Sequence, residues 1–300
     1  MKRLSSVLVV LALAVGACSS RAPDRPEVSP TPRVTRSESA TPSPSSPAGV
    51  QDPDLVVAVK GDWGAGTPAQ RAITTRMCAV RELVRFRYVL TTGDNFYDPD
   101  GVATDGNYRA PERCLYSAPG HRWRATWGNH DFGRSSTGEV LGARRWYAWS
   151  AVGVDFFALD SNQPDNSTQR AWLERSLRAS RARVKIAYFH HPPFTVGGGH
   201  KANEAVQRNW VPLFERYGVS LVLSGHEHVY EHHRVRGIDY VVTGGGGAGT
   251  YGCIRQASYK IKCVSAHHFL LLAVRGDEIT VTAIRPTGEV LDRFVIPARA

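Results

Sequence analysis

The architecture of this 300-residue chain follows from ten residues, Leu55-Val56-Val57-Ala58-Val59-Lys60-Gly61-Asp62-Trp63-Gly64. The first half is a short apolar run of the kind that forms a buried strand, and the second half is a polar turn. A strand followed directly by polar side chains recurs further along the chain. We therefore expect an α/β domain with polar residues gathered at the ends of its strands.

Helices and strands alternate over the next 170 or so residues. Thr67-Pro68 predicts the start of a helix, because threonine caps helices and proline fits the first helical position. Apolar residues at helical spacing follow, and a second helix carries Trp172, Leu173 and Leu177. A third helical stripe runs from Val206 to Tyr217, with Pro212 inside it. Further strands are predicted at 88–90, 153–159, 184–189 and 219–223, and a meander at 269–274, 279–284 and 290–296.

The composition is that of a globular protein, with 42% apolar and 21% charged residues. After residue 18, no apolar run reaches the roughly 18 residues that a membrane-spanning helix needs. The net charge is +10, but the basic residues are scattered. We interpret this charge as tolerance for anionic substrates, and we do not expect nucleic acid as a specific partner.

The first 52 residues predict export. Lys2 and Arg3 precede a short apolar stretch, so residues 1–17 have the layout of a signal peptide. The stretch ends at Cys18 and resembles a bacterial lipobox, which implies an outward-facing lipoprotein attached to the cell membrane; the alternative is an ordinary signal and a secreted protein. Residues 18–52 are rich in Ser, Thr and Pro and are predicted to be a disordered tether or spacer. A catalytic domain is expected over 53–300.

Four cysteines remain once Cys18 is set aside, which suits an oxidising compartment. They allow three pairings, of which we expect the local one, Cys78–Cys114 with Cys253–Cys263. A metal-binding set is the alternative, although the spacing lacks CxxC pairs.

Five polar clusters follow the predicted strands and together indicate a metal site. Their side chains are carboxylates, an amide and imidazoles, which suit iron, manganese and zinc. One aspartate could bridge two ions, the arrangement used for displacement at phosphorus. The clusters are Gly61-Asp62-Trp63-Gly64, Gly93-Asp94-Asn95-Phe96-Tyr97, Gly128-Asn129-His130-Asp131, His190-His191-Pro192 and Gly225-His226-Glu227-His228.

In this order, the clusters resemble the calcineurin-like metallophosphoesterases, and more narrowly the small, tartrate-resistant type of purple acid phosphatase. Tyr97, three positions after Asp94, is the most specific element of the resemblance. The resemblance implies an α/β (α+β) fold: a four-layer β-sandwich of two mixed sheets flanked by helices. It also implies a binuclear metal site at the carboxyl ends of the strands.

The resemblance implies these roles residue by residue. A ferric ion would be held by Asp62, Tyr97 and His228, with Asp94 as the bridge. A divalent ion (Fe2+, Zn2+ or Mn2+) would be held by Asn129, His190 and His226.

Other residues near the expected ligands have supporting or alternative roles. His191 is an alternative ligand, and we prefer His190 because it shares strand parity with Val184 and Ile186. His130 and His200 would contact the substrate or the leaving group, with Asp131 orienting His130. The three glycines before His200 depart from the family pattern. Glu227 is as readily explained as a solvated residue.

The implied activity is hydrolysis of small phosphate monoesters by a metal-bound hydroxide at acidic pH. Two alternatives stay open. One is a manganese- or zinc-dependent phosphodiesterase or nuclease of the same superfamily. The other is a surface binding module without catalysis, which loss of a ligand residue would mark.

Overall fold

A computed structural model describes residues 52–97, 101–132 and 135–297. The predicted signal, Cys18 and nearly all of the 18–52 tether lie outside the described residues. They and the domain bounds therefore stay predictions. No helix among the described residues is long and apolar enough to span a bilayer.

Thirteen strands are present in the described part of the chain. They are β1 (Leu55–Lys60), β2 (Tyr88–Thr91), β3 (Arg122–Ala125), β4 (Tyr147–Ala151), β5 (Val154–Ala158), β6 (Val184–Tyr188), β7 (Leu221–Ser224), β8 (Tyr230–Val235), β9 (Ile238–Thr243), β10 (Lys260–Val264), β11 (Phe269–Arg275), β12 (Glu278–Ile284) and β13 (Val290–Pro297). The helices are α1 (Pro68–Val84), α2 (Arg113–Tyr116), α3 (Ser136–Leu141), α4 (Ser167–Ala179), α5 (Glu204–Asn209) and α6 (Val211–Arg216). A π-helical turn covers Asp105–Arg109, and a 3-10 turn covers Asn129–Asp131.

The strands form two mixed sheets, as predicted. The first has the order β13-β12-β11-β1-β2-β3, in which β1, β2 and β3 are parallel and the meander β11 to β13 is antiparallel. The second has the order β10-β8-β9-β7-β6-β5-β4, with β5, β6, β7 and β9 parallel. The parallel strands of both sheets carry the polar clusters.

The main core lies between the sheets. Val57 and Val59 of β1 belong to the same buried cluster as Ile186 of β6. Ala58, between the two valines, instead joins the cluster that includes Ile73 of α1. Because β1 is buried on both faces, its sequence is a continuous apolar run without polar alternation.

Helices cover the outer face of each sheet, so the predicted four layers are confirmed. Helix α1 packs on the first sheet, and α4, α5 and α6 pack on the second. Helix α1 begins where the sequence predicts, with the Thr67 side chain accepting a hydrogen bond from Gln70 N and Pro68 in the first turn.

The single helical stripe expected from Val206 to Tyr217 is wrong. The structure has two short helices that meet at Trp210. Pro212 explains the break, because it has no N–H to donate and its ring would clash with the carbonyl of Arg208 in a continuous helix. Within α6, Pro212 occupies the first turn, where its missing N–H costs nothing.

Both disulfides have the predicted local pairing. Cys78–Cys114 joins α1 to α2, and Cys253–Cys263 joins an irregular segment to β10. A metal site made of cysteines is therefore excluded for these four residues.

Candidate metal centre

The carboxyl ends of five parallel strands bring the predicted ligands to one edge of the molecule. Strands β1, β2 and β3 lead to this edge from the first sheet, and β6 and β7 from the second. The side chains gathered there are those of Asp62, Asp94, Tyr97, Asn129, His190, His226 and His228.

Asp62, Tyr97 and His228 converge on one point. The Tyr97 hydroxyl lies 3.0 Å from His228 Nε2 and donates to Asp62 Oδ1 at 3.3 Å. His228 Nε2 is itself 3.3 Å from Asp62 Oδ1. These are the three residues that the resemblance assigns to a ferric ion.

Asn129, His190 and His226 converge on a second point beside the first. His190 Nε2 lies 2.9 Å from Asn129 Oδ1 and 3.2 Å from His226 Nδ1. The same nitrogen is 3.3 Å from Asp94 Oδ1. Asp94 also groups with Asp62 and His228, whose ligand atoms all lie within 4.8 Å of one another, so its position between the two points suits a bridge.

Backbone carbonyls fix the orientation of two of the imidazoles. His190 Nδ1 donates to Thr92 O at 2.9 Å, and His228 Nδ1 donates to Gly249 O at 2.7 Å. Each ring therefore turns Nε2 toward the cluster, as metal-ligating histidines commonly do.

The donor set needs a proton or a metal ion between its members. With its proton on Nδ1, neutral His190 presents a lone pair to the amide oxygen of Asn129 and to the carboxylate of Asp94. Facing lone pairs repel unless a proton or a cation lies between them. Oxygen and nitrogen donors without thiolate suit iron, zinc or manganese.

The electrostatics indicate that protons and metal ions compete for this cluster. Burial lowers the pKa of His190, but the charge and hydrogen bond of Asp94, together with the charge of Asp62 and the Thr92 carbonyl, outweigh burial and raise the pKa to about 9. Burial and then His190 lower the pKa of His226 to about 2. Burial and the carboxylates of Asp62 and Asp94 raise the pKa of Tyr97 well above its usual range, so a phenolate here requires a bound cation.

Three of the predicted ligands have left-handed backbone conformations. The φ angles are 57° at Asp62, 48° at Asp94 and 66° at His226, half of the six positive values found at non-glycine residues in the described chain. Such conformations are costly and concentrate at functional sites. Close approach adds a second constraint, because a Cβ at Gly128 would overlap Asp94 and one at Gly225 would overlap Asp62.

His130 lies at the exposed mouth of the cluster, with its ring centroid 4.5 Å from that of Tyr97. The hydrogen bonds of Asp131 go to groups other than the ring of His130, which it was expected to orient. Its buried carboxylate accepts hydrogen bonds from Asn95 N, Asn95 Nδ2, Gly128 N and Thr137 Oγ1. Asp131 therefore holds together the two loops that carry Asp94 and Asn129.

His200 and His191 both reach the cluster. The rings of His200 and His226 stack with centroids 3.8 Å apart. His191 is 4.4 Å from His226 by the same measure and hydrogen-bonds Ser161 through Nδ1 at 2.9 Å. His190, in contrast, contacts both Asp94 and Asn129.

Sequence reasoning missed Glu227, which is fully buried rather than solvated. It also missed Tyr251, whose ring stacks on that of His228 at 4.4 Å. The run Gly197-Gly198-Gly199 was the available signal, because side chains pack directly against it.

Residues 51–230 match the family model described as calcineurin-like phosphoesterase. This match covers more than half of the chain. The chain belongs to the calcineurin-like phosphoesterase family. It is therefore a phosphoesterase, a hydrolase that acts on phosphoric esters.

Relatives within the family include purple acid phosphatases at low identity. Purple acid phosphatase 7 of Arabidopsis thaliana is 28% identical over 236 residues, which cover 66% of this chain and 71% of that protein. Human tartrate-resistant acid phosphatase type 5 is 24% identical over 305 residues, which cover 83% of this chain and 92% of the relative. These relatives imply a binuclear metal site. Two groups of side chains are close enough to hold an ion: Asp62 with Asp94 and His228, and His190 with His191 and His226, so His191 stays an alternative ligand.

Solved structures share the fold. GAP50, described as the anchor in the inner membrane complex of Plasmodium, superposes with a TM-score of 0.71 at 18% identity, over 82% of this chain and 89% of that one. Purple acid phosphatase PPD1 from yellow lupin seeds superposes with a TM-score of 0.67 at 19% identity, over 81% of this chain and 53% of that one.

Proposed function

We propose that this phosphoesterase is an acid phosphatase of the purple type, which hydrolyses phosphate monoesters at a binuclear site holding Fe3+ and a divalent ion. The observation that carries the proposal is the position of Tyr97. Its hydroxyl meets His228 Nε2 at 3.0 Å and Asp62 Oδ1 at 3.3 Å, which is where a ferric ligand would be needed.

Bound at the two groups of donors, the ions would activate water and offset the charge of the phosphate. Asp62, Asp94 and Tyr97 would then ligate as anions, and Asn129, His190, His226 and His228 as neutral ligands. His130 and His200 flank the mouth and would hydrogen-bond the phosphate or protonate the departing oxygen. Both are suited to this role because they lie next to ligands and remain partly accessible.

The fold alone does not separate an enzyme from a binding module, because GAP50 shares this fold and is described as an anchor. The complete set of seven ligand side chains favours catalysis. His130 and His200 can both hydrogen-bond the free oxygens of a terminal phosphate, so we expect monoesters to be preferred to diesters.

We also propose that the protein is exported. The two disulfides support export, because such bonds persist in oxidising compartments. Attachment through Cys18 stays a prediction, which mass spectrometry of the mature N-terminus would test.

The test is a visible absorption spectrum of the purified chain, together with metal analysis and activity on p-nitrophenyl phosphate and bis-p-nitrophenyl phosphate at pH 5. The matched control is Tyr97→Phe, which keeps the ring beside His130 but removes the oxygen. We expect a broad purple or pink band in the wild type that is lost in the control, with faster hydrolysis of the monoester.

Two outcomes would contradict the proposal in different ways. A colourless protein with two metal ions per chain and faster diester hydrolysis would establish the manganese or zinc phosphodiesterase. A fully metal-loaded protein with no activity on either ester would establish a binding module.

A further inference from the structure

The loop from Thr195 to His200 brings a histidine to the metal centre through three consecutive glycines. Glycine has more backbone freedom than any other residue. Such a loop cannot by itself keep the ring of His200 stacked 3.8 Å from that of His226. Other residues must hold its backbone.

Glu227 holds the end of the loop nearest His200. Its Oε1 accepts a hydrogen bond from Gly199 N at 2.6 Å, and its Oε2 accepts one from His200 N at 2.6 Å. The side chain is fully buried, where bonds to a charged acceptor are strong. Because Glu227 lies between His226 and His228, it ties the loop directly to the segment that carries two expected ligands.

The glycines are explained by close packing. A Cβ at Gly197 would overlap the side chain of Glu227, and a Cβ at Gly199 would overlap the ring of Tyr251. The glycine run therefore lets Glu227 and Tyr251 pack directly against the loop backbone. The three glycines that depart from the family pattern therefore leave the space in which Glu227 is buried.

Arg255 holds the same loop through its carbonyl groups. Its Nη1 donates to His200 O at 2.7 Å and also to Gly197 O. Glu227 thus accepts from two N–H groups of the loop and Arg255 donates to two of its carbonyls, as expected for a positioned loop rather than a mobile one.

We propose that Glu227 is a positioning residue for the phosphatase reaction: it fixes the backbone of Gly199 and His200 so that the His200 ring stays at the mouth of the metal centre. This inference rests on the proposed function. Glu227 acts through His200 and does not contact the substrate.

The test is a double-mutant cycle on the full chain with Glu227→Gln, His200→Ala and the double variant. Glutamine can accept one of the two hydrogen bonds but turns an N–H toward the other donor. We expect Glu227→Gln to lower kcat about 10- to 100-fold with a smaller change in KM, because a shift of about 1 Å costs that much. Metal content stays at two ions per chain. In the His200→Ala background, the substitution has no further effect.

Asp239→Asn is the matched control. Asp239 is an equally buried carboxylate, paired with His232 and Arg234. It lies beside Leu221 at the start of β7, the end opposite to the one that leads to His226. We expect its kcat to stay within about twofold of wild type under conditions where it is folded. If Glu227→Gln does not fold, Arg255→Gln replaces it in the cycle, with the same dependence on His200.

Hydrogen exchange at the amides of residues 197–200 supplies a readout that needs no activity. We expect exchange to be at least tenfold faster in Glu227→Gln than in the wild type. The inference would be overturned if Glu227→Gln left kcat unchanged in an active enzyme. It would also be overturned if the fold-loss in the double variant equalled the product of the two single fold-losses. A metal-loaded wild type that cleaves no monoester would instead overturn the proposed function, while hydrogen exchange still reports whether Glu227 holds the loop.

Discussion

At the scale of single residues, the expected ligands show a conflict between function and local stability. Asp62, Asp94 and His226 have positive φ angles, which cost roughly 1–2 kcal/mol for a residue with a Cβ. Each directly follows a glycine just beyond the end of a strand, so the strained turn aims the side chain into the cluster. Backbone strain of this kind is retained where the resulting geometry is used.

Replacing Asp94 separates its ligand role from its backbone role. Asparagine at this position would tolerate the left-handed conformation, whereas alanine would not. We expect Asp94→Asn to lose at least about 100-fold in activity and to hold fewer than two ions, because it loses the bridging charge. Its free energy of unfolding, measured in urea without metal, should exceed that of Asp94→Ala by about 0.5–1 kcal/mol.

Activity assays, metal analysis and urea titrations check this prediction. Equal stabilities of the asparagine and alanine variants would show that the positive φ of Asp94 carries no strain. Two bound ions in Asp94→Asn would remove its bridging role.

At the scale of elements, a buried ion pair connects β1 to the start of α2. Lys60 Nζ lies 2.5 Å from Glu112 Oε2, and both side chains are fully buried. Glu112 Oε1 also accepts hydrogen bonds from Gln70 Nε2 and Thr74 Oγ1 of α1. One carboxylate thus links a strand and two helices at Lys60, the residue just before the Gly61-Asp62 turn.

Removing the charge of Glu112 should be costly. We expect Glu112→Gln to lower the free energy of unfolding by about 3–5 kcal/mol, because it leaves the Lys60 ammonium buried without a counter-ion. The exposed pair of Glu215 with Arg236 supplies the control, and Glu215→Gln should cost no more than about 1 kcal/mol. Urea denaturation of both variants measures the difference, and equal losses would contradict the prediction.

The two disulfides should contribute unequally to stability. They close loops with sequence separations of 36 and 10 residues. On the chain-entropy model, replacing Cys78 and Cys114 by alanine should cost about 4 kcal/mol, and replacing Cys253 and Cys263 about 3 kcal/mol. Denaturation of each double variant checks the order, and a larger loss for the shorter loop would mean that native contacts outweigh loop entropy.

Much of the architecture could be predicted from the sequence, because burial on both faces leaves continuous apolar runs. Strands β1 and β6 were predicted for this reason. The meander β11 to β13 was predicted instead from apolar runs separated by turn residues, and its strands are buried on alternate residues. No range was predicted for strands β3, β4, β8, β9 and β10. Strand β8, Tyr230–Val235, contains Glu231, His232 and His233, which are typical of polar loops although all three are buried. Their burial depends on partners distant in sequence, which no local pattern reveals.

The candidate site, like the fold, could be predicted from the sequence only in part. The side chains that converge on the cluster follow strands and could be identified by position. The roles of Asp131 and Glu227 depend on which backbone N–H groups approach their carboxylates, and these groups come from other loops. Sequence reasoning therefore located the cluster but misjudged both residues.

At the scale of the whole molecule, His121 should make stability depend on pH. It is buried at the start of the first sheet's edge strand β3, with its ring 4.9 Å from that of Trp123. Burial, together with the positive charges of Arg81, Lys60 and Arg122, lowers its pKa to about 4. Because the unfolded state has the ordinary value near 6.5, it binds the proton first, and stability falls as the pH drops from 6.5 to 4.

Substituting His121→Phe should remove this part of the pH dependence. We compare the free energy of unfolding of the variant with that of the wild type. The difference should favour the variant by about 2 kcal/mol more at pH 5 than at pH 7. Urea denaturation at the two pH values measures this. The same difference at both values would mean that His121 titrates normally in the folded protein.

The direction of β1 has a practical consequence. The described chain begins at Asp52, just before Leu55, and ends at Pro297, which pairs with Glu278 at the same edge of the sheet. Asp62 lies beyond the other end of β1, about 20 Å away at roughly 3.3 Å per residue. Both ends of the domain therefore leave on the side remote from the mouth. Coupled to a bead beside Asp52 or Pro297, the domain would keep its mouth turned toward the flowing liquid.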